Sequence, residues 1–265
     1  MTAMRSLLFL AATLSLGVVA APQVVWSQVA PQVLQMPIPA NMARRQVSVV
    51  VRAGLTNTKK LPTDALRKAR KVMLAGSEIS DATLKALADR WDGLAAQKYE
   101  RILVAQSSST NASDIAYYGT IAVSTGRVWS LPDVIQALGY LDPKTEPADR
   151  IKVYGAMLTA HAWAGNSLAL DAVIDFNGSG KLLGPMSEAT RKKVLAQGAK
   201  DGDGRAALHL ALALMQQPNR SDADNALVKQ YLGLAAKGNN LMISTTATNL
   251  LALPGDGSAK TVPSQ

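Results

Sequence analysis

The sequence predicts an all-α fold, an α-solenoid of about five helical hairpins, and three observations lead there. Helix-breaking turns recur at a nearly constant interval: Trp91-Asp92-Gly93, Trp129-Ser130-Leu131-Pro132, Trp163-Ala164-Gly165-Asn166, Asp201-Gly202-Asp203-Gly204 and Gly238-Asn239-Asn240. Measured at Gly93, Leu131, Asn166, Asp203 and Asn239, the spacings are 38, 35, 37 and 36 residues, the period of stacked two-helix units that need neighbours to cover their apolar faces. Between the turns, apolar residues fall at i, i+3, i+4 and i+7, the helical period. Composition agrees, because aromatics make up only 5% and most of the apolar content is alanine and leucine, which suits close helix contact.

Met1 to Arg5 gives a short basic start, and Leu7 to Ala20 is an apolar run of signal-peptide length, with Val18 and Ala20 as small residues ahead of Ala21. Residues 1–21 are therefore expected to be a signal peptide. The run is too short to span a bilayer comfortably and Pro22 interrupts any extension, so no stable membrane span is expected after cleavage. Residues 22–60 carry Pro22, Pro31, Pro37 and Pro39 among glutamines and valines without a helical period, and read as a flexible leader. Within it, Val47 to Val51 is a β-prone run expected to lie extended and loosely held.

The helical-repeat domain is expected over 61–253. Leu66, Ala69 and Met73 open it on one helical face, with Lys68, Arg70 and Lys71 mostly facing elsewhere. Leu84, Leu87, Ala88 and Trp91 form the next stripe, behind Ser80-Asp81 as a cap. Ile151, Tyr154, Leu158 and His161 form another, and Leu227, Tyr231 and Leu234 a further one. Ser187-Glu188 and Ser221-Asp222-Ala223-Asp224 supply cap oxygens and first-turn acids, the second fitting a capping box. Gly76, Gly165, Gly198 and Gly238 stand where helices end. The tail, 254–265, is rich in Gly, Pro, Ser and Thr and is expected to be disordered.

The stretch Ala206-Ala207-Leu208-His209-Leu210-Ala211-Leu212, followed by Asp222, Ala226 and Tyr231-Leu232-Gly233-Leu234-Ala235-Ala236-Lys237-Gly238-Asn239, resembles a Sel1-like repeat, a relative of the tetratricopeptide repeat. A weaker copy runs through Ala116-Tyr117-Tyr118-Gly119, Gly126, Asp133 and Ala137, and Asp92-Gly93-Leu94-Ala95-Ala96 echoes Asp203-Gly204-Arg205-Ala206-Ala207. The match covers about one unit well. The paired glycines usual between the two helices are missing from the Gln216 to Arg220 loop. The resemblance implies a right-handed superhelix with a concave protein-binding face, and implies no catalytic residue.

The formal charge is +9, and loss of Arg5 with no acid leaves +8. Such an excess favours an acidic protein face, an anionic glycan or lipid headgroups by long-range attraction. The cations read as spread along the chain, so solubility accounts for most of the excess. A signal peptide argues against nucleic acid as a partner. The chain contains no cysteine, which excludes disulfides, thiol catalysis, thiolate metal sites and a lipidated cysteine, and leaves packing to stabilise the fold. The expected location is periplasmic or secreted, in a bacterium.

No motif carries a cofactor or a reaction. Asn177-Gly178-Ser179-Gly180-Lys181-Leu182 lacks the first glycine and the Ser or Thr of a phosphate loop. Asp201-Gly202-Asp203-Gly204 opens like a calcium loop, but Arg205 and Leu212 stand at ligand positions. His161 and His209 are far apart and read as packed residues, so no metal site is expected. Of four glutamates, Glu78 and Glu146 read as loop residues and Glu188 as a first-turn residue, which leaves Glu100 as the carboxyl that a glycan-cleaving reading would test. Trp91, Trp129 and Trp163 each precede a turn and suit the seams between hairpins. Tyr117, Tyr118 and Tyr154 are the candidate protein-contact tyrosines, and Arg191, Lys192 and Lys193 the compact basic cluster.

The expected function is accordingly that of an exported, non-enzymatic repeat protein that binds another envelope protein as adaptor, assembly factor or regulator. The alternative is an envelope enzyme or glycan-binding protein acting on peptidoglycan or exopolysaccharide.

Overall fold

The structure is a computed structural model that describes residues 45–253, and the expected signal peptide, the start of the leader and the tail beyond 253 lie outside the described residues. Among the described residues there are eleven α-helices and no strand. They are α1 Asp64–Leu74, α2 Asp81–Ala88, α3 Gly93–Gln106, α4 Ala112–Ser124, α5 Leu131–Leu138, α6 Ala148–Trp163, α7 Ser167–Phe176, α8 Glu188–Asp201, α9 Arg205–Met215, α10 Asp222–Ala236 and α11 Leu241–Ala252. Short 3-10 turns lie at Thr58–Lys60 and Val128–Ser130. No helix among the described residues is long and apolar enough to cross a membrane.

Side-chain caps set most of the starts. Thr63, Ser80, Asp92, Asn166, Ser187, Ser221 and Asn240 each accept a backbone N–H from the first turn of the helix that follows, satisfying donors the helix itself leaves unpaired. Ser221 and Asp224 form a reciprocal capping box. Five helix pairs flank the five recurring turns: α2 with α3, α4 with α5, α6 with α7, α8 with α9 and α10 with α11, and each pair packs together. The second reversal comes at Gly126, with φ +97°, just before the segment the sequence marked.

Packing between pairs follows chain order. First helices meet first helices (α4 with α6, α6 with α8), second helices meet second helices (α5 with α7, α7 with α9, α9 with α11), and α3 and α10 bridge to their neighbours α4 and α9. The apolar core they share extends from Leu61 to Ala247. Small residues permit close approach between turns. A Cβ on Gly204, at φ +65°, would lie 2.8 Å from the Cα of Ala235, and one on Gly238 would lie 2.7 Å from the carbonyl oxygen of Asp203, so a side chain at either position forces the backbone apart.

Val47 to Val51 was expected to lie extended and loosely held; it carries no helix or strand, but it is not loose, because residues 45–57 are tied to three of the turns. Asn166 Nδ2 donates to the carbonyls of Arg45 and Val47 at 3.0 and 2.8 Å. The N–H groups of Val51 and Arg52 both donate to the carbonyl of Ser124 at the end of α4, at 2.9 and 3.1 Å, and that of Leu55 donates to Trp91 at 2.8 Å. This strap thus crosses the third, second and first turns in that order, at intervals of four residues. Four extended residues reach about 13 Å, enough to step across one helix layer of about 10 Å. Helix C-terminal carbonyls lack intrahelical donors, and the strap supplies them.

Two further sequence expectations are corrected. Arg70 does not face solvent: it is buried, donating from Nε to Asp92 Oδ2 at 2.5 Å, to Thr58 Oγ1 at 2.5 Å and to the carbonyl of Leu55 at 2.6 Å. Its guanidinium fork can reach three acceptors from different segments, which a sequence stripe cannot reveal. Trp129 does not plug a seam either, being 65% exposed within the Val128–Ser130 turn, while Trp91 and Trp163 are partly buried against the core.

Candidate binding surfaces

The cap residues of three turns provide the chemistry of one edge of the molecule. Asp92 accepts the N–H groups of Leu94 and Ala95 with Oδ1 and holds Arg70, and through it the strap, with Oδ2. Asn166 accepts the N–H of Ala169 with Oδ1 at 3.0 Å and holds the strap directly with Nδ2. Asn240 caps α11 in the same way, accepting the N–H of Ile243 at 3.2 Å, but no described residue takes up its Nδ2.

His161 lies in the last turn of α6 beneath the strap and is fully buried. Its Nδ1 is 3.0 Å from the carbonyl of Met157, so Nδ1 carries the proton and Nε2 is left as an acceptor for the N–H of Val49 at 3.5 Å. Burial holds its pKa below the ordinary histidine value, against a smaller opposing effect from the Met157 carbonyl. Trp91 adopts φ +62°, a costly left-handed conformation for an aromatic residue. Its ring is covered by the guanidinium of Arg52 at 3.8 Å.

The six residues proposed as contacts do not form one face. Tyr118 and Tyr154 are buried, so their rings act in packing: Tyr118 donates to Asp89 Oδ1 at 2.7 Å and Tyr154 to Glu146 Oε1 at 2.7 Å. Tyr117 is half-buried and lies under the Arg150 guanidinium at 4.3 Å. The stripe that carries Tyr154 with Ile151, Leu158 and His161 is the inner one, with Tyr154, Leu158 and His161 buried. Arg191 pairs with Glu188 at 3.4 Å, and Lys192 and Lys193 are exposed on α8. A denser cationic surface lies elsewhere: Lys59, Arg67, Lys68 and Lys71 line a hollow of about 660 Å³ with Thr56, Asn57, Thr58 and Asp64. The sequence reading overlooked it because its members straddle a turn and a helix.

Glu100 sits on α3 with 0% exposure. Ser130 Oγ donates to its Oε2 at 3.1 Å. Burial first, and the Asp133 carboxylate second, push its pKa up to about 8, so it is a neutral core acid at pH 7, closed off from any glycan. His209 is half-buried 3.8 Å from Asp175, which raises its pKa. Among the described residues no group of three or more His, Asp or Glu side chains could hold a metal ion.

The last described helix exposes apolar side chains. Residues 241–253 contain no charged side chain. Leu241 and Met242 are 80% and 78% exposed, Leu251 and Leu253 are also exposed, and within α11 the buried residue is Ala247. No family profile, curated protein or solved structure matches this chain.

Proposed function

We propose that this is an exported, non-enzymatic helical-repeat protein, an α-solenoid of five hairpins of the Sel1/tetratricopeptide-like type, that binds another envelope protein as adaptor, assembly factor or regulator. The observation that carries this reading is α11. Terminal units of stacked arrays are normally polar on their outer side, whereas this one exposes Leu241, Met242, Leu251 and Leu253 without a charge nearby in sequence. Leu241 and Met242, adjacent at the start of the helix and 80% and 78% exposed, are the kind of apolar surface that marks a site of protein contact. A photo-crosslinking residue at Met242 in the native envelope should capture one or two discrete proteins. Leu241→Asp with Met242→Asp should abolish capture while leaving the melting temperature unchanged, because both side chains are exposed. Absence of a discrete adduct contradicts the reading.

The glycan-binding alternative has its own support in the hollow lined by Lys59, Arg67, Lys68 and Lys71, whose charges attract an anionic polymer. It requires co-sedimentation with acidic exopolysaccharide that Lys68→Glu with Lys71→Glu removes.

A further inference from the structure

We propose that the ends of α8 and α10 form a groove for an extended, apolar peptide segment of the partner protein, bound as the strap is bound on the preceding hairpins. The inference rests on the adaptor reading and names the part of the partner that is recognised. The strap covers the C-terminal ends of α2, α4 and α6, the first helices of hairpins one to three, through Trp91, Ser124 and His161. At the corresponding ends of α8 and α10, the first helices of hairpins four and five, there is instead a cavity of about 250 Å³. Leu195, Ala199, Gly202, Ala207, Leu234 and Gly238 are among the residues that line it.

Positional equivalence states what it would accept. His161 stands three residues before the C-cap Ala164 and takes the Val49 N–H. Ala199 and Leu234 stand three residues before the C-caps Gly202 and Lys237, so an apolar side chain replaces the histidine acceptor on this part of the edge. Asn240 matches Asn166 as an N-cap, with Oδ1 taken by the first turn of its helix, and it directly follows Asn239, which lines the cavity; its Nδ2 is the donor that would correspond to that of Asn166. The rows of turns four and five are continuous, since the Asn239 N–H donates to the Gly202 carbonyl at 2.7 Å. A segment with alternating side chains therefore fits: backbone carbonyls towards Asn240, small apolar side chains towards Ala199 and Leu234.

The test is a titration of the full chain with a blocked synthetic peptide of the strap sequence Gln46–Arg52, followed by the amide signals of its glycines. Saturable shifts are expected at Gly198, Gly202, Gly204 and Gly238. Ala199→Trp, at an exposed position that lines the cavity, should abolish them. Asn240→Asp keeps the cap but loses the donor, and should weaken binding about three- to tenfold. No saturable shift, or shifts at Gly126 and Gly165 from displacement of the strap, would overturn the proposal. Binding seen only in a chain that starts at Arg45 would overturn it too, by assigning the groove to the chain's own preceding residues. Shifts without any envelope adduct would leave the groove standing and remove the adaptor reading.

Discussion

Asn166 holds Val47 across the third turn: its Nδ2 donates to the Val47 carbonyl at 2.8 Å while its Oδ1 caps α7. One amide thus joins helix initiation to strap seating. Asn166→Asp should separate the two roles, because a carboxylate caps as well as an amide but repels the carbonyls of Arg45 and Val47. Two lost bonds of about 1 kcal/mol each should speed tryptic cleavage after Arg52 by at least about tenfold, with little change in the melting of the helical body.

Arg70 and Asp92 form a buried ion pair, at 10% and 3% side-chain exposure. Removing one partner strands the other, at a cost of about 3–5 kcal/mol. Arg70→Ala should lower unfolding free energy by that amount in urea titrations. Lys71→Ala, one residue on and exposed, should change it by less than about 0.5 kcal/mol.

Much of the helical layout was legible because it is local. The capping serines at 80, 187 and 221 and the spacing of the turns predict helices that are present, and the echo between Asp92-Gly93 and Asp203-Gly204 falls at the starts of α3 and α9. What escaped the sequence is non-local. Arg70 reads as a surface residue until Thr58, Leu55 and Asp92 surround it, and Tyr154 reads as an accessible tyrosine until Glu146 receives its hydroxyl. The strap has no periodicity of its own, since its partners are single carbonyls about 35 residues apart along the chain, at Ser124 and Trp91. Sites that depend on which face is covered follow from packing, and one amphipathic stripe cannot distinguish a groove from a core.

His161 makes strap seating sensitive to pH. Its folded pKa is depressed from 6.5 by burial, so the neutral ring contributes stability that is fully present above about 6.5 and is lost as pH falls from there towards the depressed value. Protonation also turns Nε2 from an acceptor of the Val49 N–H into a donor facing it. Denaturation midpoints should therefore fall as pH drops below about 6.5, and His161→Gln should flatten part of that slope.

Glu100 acts in the opposite direction. With a folded pKa of about 8 against 4.5 for the free group, the folded state retains a proton that the unfolded state has released, so its contribution declines as pH rises from about 4.5 to about 8. Glu100→Gln supplies a neutral isostere and should stabilise the protein at pH 9 relative to the parent, with no such gain at pH 4. A greater gain at acid pH would contradict a buried neutral carboxyl.

The most direct test of the strap on its row of turns is amide hydrogen exchange in the unmodified chain. Val51, Arg52 and Leu55, whose N–H groups point at the carbonyls of Ser124 and Trp91, should exchange at least about tenfold more slowly than in a free peptide, an opening cost of about 1.4 kcal/mol or more. Exchange of all three at the free-peptide rate would contradict the account.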